Sequence, residues 1–114
     1  MLSLGYRLKN NSDFKRVKEE GRVFQSSSFA LASYFRTDTE LPRFGFVVSR
    51  TVSKNASRRN MIRRALSEAL RHHLAYIKNG YDIVFLAKKT ADGKYVSELM
   101  SEVREALIKA KLLK

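Results

Sequence analysis

Phe44-Gly45-Phe46-Val47-Val48-Ser49-Arg50-Thr51-Val52-Ser53-Lys54-Asn55-Ala56-Ser57-Arg58-Arg59-Asn60-Met61-Ile62-Arg63-Arg64-Ala65-Leu66 opens as an apolar run and closes on apolar residues three and four apart. The first five residues read as a β-strand, with Gly45 marking a bulge or a close backbone approach. The rest starts an amphipathic helix near Asn55 or Ala56. Ile62, Ala65, Leu66, Ala69, Leu70, Leu74 and Ile77 continue the spacing, so the helix is predicted to run to about residue 78, ended by Asn79-Gly80. A strand followed by a helix with one buried face is the unit from which a helix-covered sheet is built.

Working outward, Phe29-Ala30-Leu31-Ala32-Ser33-Tyr34-Phe35 reads as a second strand, and the polar turn Thr37-Asp38-Thr39-Glu40 with Pro42 makes it the hairpin mate of the first. A short helix over 13–20 precedes it, with Ser12 as N-cap, Gly21 as a left-handed stop, and Phe14 and Val17 on its inner side. Downstream, Tyr81-Asp82-Ile83-Val84-Phe85-Leu86-Ala87 is an apolar run suited to a central strand. After a turn at Asp92-Gly93, Val96, Leu99, Met100, Val103, Leu107 and Ala110 define a last helix. The sum is one domain over 1–114, a mixed sheet covered largely on one side.

Charge names the class of partner. The chain carries 23 Lys and Arg against 11 Asp and Glu, a formal charge of +12 on 114 residues, which draws anions toward it. Six of the basic residues, Arg50, Lys54, Arg58, Arg59, Arg63 and Arg64, fall between positions 50 and 64 with no acid among them. Solvated helix faces normally mix the two signs, because like charges three or four residues apart repel. Here the compensating charge belongs to another molecule, a polyanion. No stretch approaches the roughly 20 apolar residues of a spanning helix, the first residues do not form a signal peptide, and cysteine is absent. A soluble, cytoplasmic protein without membrane partners is expected.

Projected at 100 degrees per residue, Asn60, Arg64, Ser67 and Arg71 form a polar stripe opposite the apolar face, with Arg63 at its shoulder. Arginine offers phosphate two parallel donors, and asparagine donates and accepts. Arg58 and Arg59 project inward at the first turn, where free N–H groups also attract anions. Phe29, Phe35, Phe44, Phe46 and Phe85 are assigned to the core rather than to base stacking, whereas Phe14 and Tyr34 sit where a cleft could open. Protein-borne catalysis is not expected. The acids are scattered, and His72 and His73 point about 100 degrees apart, so they cannot share a metal. His73 is assigned to the core edge.

The run from Phe46 to Arg64 resembles the signature of the bacterial ribonuclease P protein subunit: a strand ending in Val-Ser-basic, then a helix with Arg59-Asn60 followed by the basic pair Arg63-Arg64. Arg7-Leu8, Asp13-Phe14 and Gly21 resemble the family's N-terminal pattern, and Asp82-Ile83-Val84 its last strand. Ser57 departs from it, standing where the family usually has an apolar residue. The resemblance implies an α+β sandwich of the ribosomal protein S5 domain 2-like type, in the order helix-strand-strand-strand-helix-strand-helix, with a left-handed β-α-β crossover. It implies binding of the catalytic RNA through Arg50, Lys54, Arg58, Arg59, Asn60, Arg63, Arg64, Ser67 and Arg71. It further implies that Phe14, Tyr34, Arg7 and Lys9 meet the 5′ leader of precursor tRNA in a cleft between the first helix and the sheet. Hydrolysis would then belong to the RNA and its Mg2+, with none held tightly by the protein. A structured-RNA-binding or ribosome-associated protein of similar fold is the alternative. DNA is not expected as a partner, because the basic helix lacks the short preceding helix of a helix-turn-helix.

Overall fold

In the computed structural model, which describes residues 2–114, the chain runs α1 (Asn11–Glu20), β1 (Arg22–Gln25), β2 (Phe29–Phe35), β3 (Arg43–Val47), α2 (Ala56–Arg71), β4 (Tyr81–Ala87) and α3 (Val96–Lys109). Short 3-10 turns lie at Leu4–Tyr6, Leu74–Tyr76 and Lys89–Ala91. The fold is α+β, in the expected element order. Its sheet has the strand order β1-β2-β4-β3. β4 is central: it pairs antiparallel with β2 and parallel with β3, and its Ile83, Val84 and Phe85 are fully buried.

β2 and β3 are therefore not a hairpin. β4 inserts between them, and the segment 36–42 instead wraps the end of the sheet, held by Arg36, which donates to the carbonyls of Tyr81 and Leu41. The hairpin partner of β2 is β1, an exposed edge strand of only four residues, too short to announce itself.

Phe29, Leu31, Ile83 and Phe85 pack under α2 and α3 with Leu66, Leu70, Leu99, Val103 and Leu107. Phe29 meets Phe85 edge-on at 5.3 Å, and Phe46 stacks on Phe85 at 5.4 Å. Phe44 joins this core, but Phe35 does not: it is 49% exposed at the sheet's end, against Tyr81. The opposite face carries a smaller cluster, Val17 of α1 on Ala32 and Val84, with Leu8, Phe14 and Tyr34 around it. Coverage is thus unequal but two-sided.

Two helix boundaries and the conformation of one stop differ from expectation. α1 begins at Asn11, after Asn10 rather than Ser12. Gly21 is not left-handed (φ −77°, ψ 167°); a Cβ there would lie 2.3 Å from the Val17 carbonyl and 2.6 Å from that of Ser33, so close approach is what requires glycine. α2 ends at Arg71, and Leu74 and Ile77 keep the apolar spacing through a 3-10 turn, which is why the pattern reads as one long helix. Gly80 (φ +87°) serves the turn into β4, its N–H donating to Glu40 and its carbonyl accepting from Arg36.

Glu102 on α3 bolts the β1–β2 turn to the helix layer. Its carboxylate accepts from Ser26 Oγ (2.8 Å), Ser28 N (2.9 Å) and Ser28 Oγ (2.7 Å), with Lys94 at 3.4 Å. Burial pushes this carboxyl up, but the hydrogen bonds from the two serines and the charge of Lys94 outweigh it, leaving the group below its ordinary value of 4.5. A depressed carboxyl stabilises the fold above its unfolded value and loses that contribution as pH falls through the folded one. Glu102→Gln should cost about 1.5 to 3 kcal/mol near neutrality. Melting curves of the two proteins should converge below about pH 4.5; a gap independent of pH would contradict the assignment.

Candidate nucleic-acid interface

Asn55 sets the start of α2, its Oδ1 accepting the N–H groups of Ser57 (2.8 Å) and Arg58 (3.3 Å). The helix N-terminus is thus already partly satisfied by the protein. Arg59 folds back and donates to the carbonyls of Ser53 and Lys54, both at 3.0 Å. It therefore braces the loop that carries Arg50 and Lys54, both exposed.

Of the nine residues expected to face RNA, the structure divides the set. Arg50, Lys54, Asn60 and Arg64 are exposed, and Arg50, Lys54 and Arg64 make no side-chain hydrogen bond or ion pair among the described residues. Arg63 donates to Asn60 Oδ1, which leaves the asparagine amide N–H groups facing outward. Arg58 is exposed rather than inward and is held by Asp92 at 2.9 Å, a pairing that raises its pKa. Arg71 is tied to Glu68 at 2.6 Å, which lowers the glutamate's pKa and cancels that charge locally. Ser67 is 4% exposed. It leaves the expected outer stripe because β3 and the N-terminal segment pack against that side of α2.

Ser67 and Arg63 instead look into a cleft of about 210 Å³, together with Arg7, Phe14, Gly45 and Phe46. The N-terminal segment closes its edge: Leu8 N donates to Phe44 O, and Arg7 Nε donates to Leu2 O. The close approach at Gly45 is that of the Phe14 ring, since a Cβ there would lie 2.3 Å from Phe14 Cε1; the β3–β4 register is regular, without a bulge. Tyr34 does not line this cleft. It lies half-buried on β2 with the Arg16 guanidinium 5.0 Å above its ring, and Lys9 stands exposed beside Leu8. The cleft thus joins the basic helix to α1, a juxtaposition across more than forty residues that no local pattern signals. Phe46 belongs to it as well as to the core.

The family model described as Ribonuclease P matches residues 2–111. The chain belongs to the ribonuclease P protein family. The ribonuclease P protein component of Clostridium kluyveri is 36% identical over 111 residues, covering 96% of this chain and 97% of that protein. Among solved structures, a Staphylococcus aureus RNase P protein mutant with defective mRNA degradation activity superposes with a TM-score of 0.85 at 28% identity, covering 95% and 90% of the two chains. The Thermotoga maritima RNase P protein gives 0.80 at 25% identity, covering 90% and 96%. These matches support the ribonuclease P reading and give the ribosome-associated alternative no support. As a ribonuclease P protein, the chain is a subunit of a ribonucleoprotein endoribonuclease with RNA as its partner, and among the described residues no helix is long and apolar enough to cross a membrane.

His73 is half-buried with Nε2 3.3 Å from the Met100 carbonyl, while His72 is exposed near Glu68. The core-edge position of His73 is as expected.

Proposed function

We propose that the outer side of α2 and its preceding loop bind the catalytic RNA, while the cleft under α1 and the sheet face beside it take the 5′ leader of precursor tRNA. The observation that carries this is the division of α2 itself: Ile62 and Leu66 are buried, Asn60 and Arg64 face solvent, and Arg63 turns to the cleft with Phe14. One helix thereby addresses two RNA surfaces. Arg7, Phe14 and Lys9 approach the leader from the N-terminal side, and Tyr34 from the sheet. Phosphate contacts position such a strand, and an aromatic face stacks an unpaired base of any identity.

Hydrolysis is assigned to the RNA and its Mg2+. Six of the chain's eleven acids are committed to arginines, serines and a lysine: Asp13, Asp38 and Asp82 to Arg16, Arg36 and Arg43, Asp92 to Arg58, Glu68 to Arg71, and Glu102 to Ser26, Ser28 and Lys94. A carboxylate so bonded is poorly placed to activate a metal-bound water. The work of such a subunit belongs in the cytoplasm, where precursor tRNA is made.

The test is reconstitution. Added to the catalytic RNA at low Mg2+, the protein should accelerate 5′ cleavage of precursor tRNA, and the RNA-free protein should cleave nothing. The S. aureus relative is a mutant described as defective in mRNA degradation activity, which makes the protein-only arm decisive. Magnesium-dependent cleavage by nuclease-free protein would overturn the division of labour.

A further inference from the structure

Two arginines and two aspartates connect the cleft to the middle of the sheet. Asp82, on β4, is fully buried. Arg43 on β3 donates to it twice, Nε to Oδ1 and Nη2 to Oδ2, both at 2.8 Å, and the same Nη2 stands 3.6 Å from Asp13 Oδ2 on the first turn of α1. Asp13 Oδ1 in turn accepts from Arg16 Nη2 at 2.8 Å, and that nitrogen lies 3.6 Å from Asp82 Oδ2. The circuit closes on itself and ends with the Arg16 guanidinium over Tyr34.

We infer that this circuit is a positioning device for leader recognition, with Asp13 as its adjustable member. The inference rests on the leader-binding role proposed above for Phe14 and Tyr34. Phe14 follows Asp13 in sequence, and its ring sits on Gly45, two residues along β3 from Arg43. α1 therefore meets β3 at two adjacent points, an ion pair at Asp13–Arg43 and a steric contact at Phe14–Gly45. The first holds the helix down and the second stops it. Tyr34, reached through Arg16, is referred to the same buried carboxylate. Both aromatic residues are thereby held at a fixed separation by groups that need not touch RNA, since Asp13 is 13% exposed and Asp82 is inaccessible. A first turn resting on an ion pair adjusts more readily than one bonded backbone to backbone, so its loss should tilt α1 without unfolding the sheet.

Two variants disturb the device from opposite sides. Asp13→Asn removes the charge that holds α1 down, and Gly45→Ala raises the stop by pushing the Phe14 ring outward. Each is assembled with the catalytic RNA and assayed on precursor tRNA with a long leader and with a leader of a single nucleotide. For the long leader, KM should rise about tenfold with kcat unchanged, a loss of binding alone. KM for the short leader, and affinity for the catalytic RNA, should stay as in the parent. Asp13→Glu, which keeps the charge, should recover part of the loss. Equal effects on both substrates, or no effect on either, would show Asp13 to be merely structural. Phe14→Ala runs alongside as the control on the cleft: if it is leader-specific and Asp13→Asn is not, only the positioning role fails. If Phe14→Ala is itself blind to the leader, the cleft reading fails and the positioning role falls with it.

Discussion

Asp82→Asn should lower the melting temperature by about 12 to 20 °C at neutral pH. Arg36 is 8% exposed and donates to Asp82 at 2.6 Å, and Arg43 adds its two bonds to the same carboxylate. Removing one partner of a buried ionic group leaves the other charges uncompensated, typically at about 3 to 5 kcal/mol. A chain of this size loses roughly 4 °C per kcal/mol. Burial by itself would pull the Arg36 guanidinium down; the hydrogen bonds and charges of Asp38 and Asp82 reverse that and raise it, so the arginine stays charged and feels the loss. Arg43 is raised by its bonds to Asp82 against the opposing effect of burial. Arg43 is still 32% exposed and Arg36 retains Asp38, which places the effect nearer the lower bound. Thermal unfolding checks it. A shift within about 2 °C, the range of an ordinary surface substitution, would mean that the carboxylate contributes nothing that water could not supply.

That network marks the boundary of what local pattern conveys. Tyr81–Ala87 is legible as a central strand because an apolar run flanked by charge has to be buried on both faces, yet the aspartate inside it gives no sign of being the deepest charge in the fold. Its partners lie 39 and 46 residues away, and such pairings depend on topology. The same holds for β3: an apolar pentapeptide after a polar turn looks like a hairpin mate until the parallel crossover through α2 brings β4 between the two strands. Helix projection alone turns Arg58 inward, whereas its partner Asp92, 34 residues distant, holds it at the surface. Arg71 differs. Glu68 stands three residues before it, a spacing that pairs opposite charges on any helix, so its neutralisation was readable. Ser67 is buried for a third reason: helix projection tells which residues share a side, but not that an N-terminal segment lies along that side. The start of α2 near Asn55 or Ala56, its buried face and the outward set of Asn60 and Arg64 need only local geometry, and they stand as expected.

Arg64→Ala and Leu66→Ala, two residues apart on α2, should separate binding from folding. Arg64 is exposed and makes no hydrogen bond or ion pair among the described residues, so its loss should change stability by no more than about 0.5 kcal/mol. A charge-assisted bond to phosphate contributes about 1.5 to 3 kcal/mol, so affinity for the catalytic RNA should fall by about 10- to 150-fold at one fixed salt concentration. Leu66 is fully buried between α2 and the sheet, and truncating it leaves a cavity costing about 2 to 5 kcal/mol, roughly 8 to 20 °C in melting temperature. The fraction of Leu66→Ala that remains folded should bind as the parent does, because nothing on the outer side of the helix has changed. Charge makes the two effects separable by a further variable: raising salt should erode the Arg64 difference, as fewer counterions are released when one phosphate contact is gone, and leave the Leu66 difference in place. If Arg64→Ala unfolds the protein while its folded fraction binds normally, the arginine is structural, and the RNA must be met by another face.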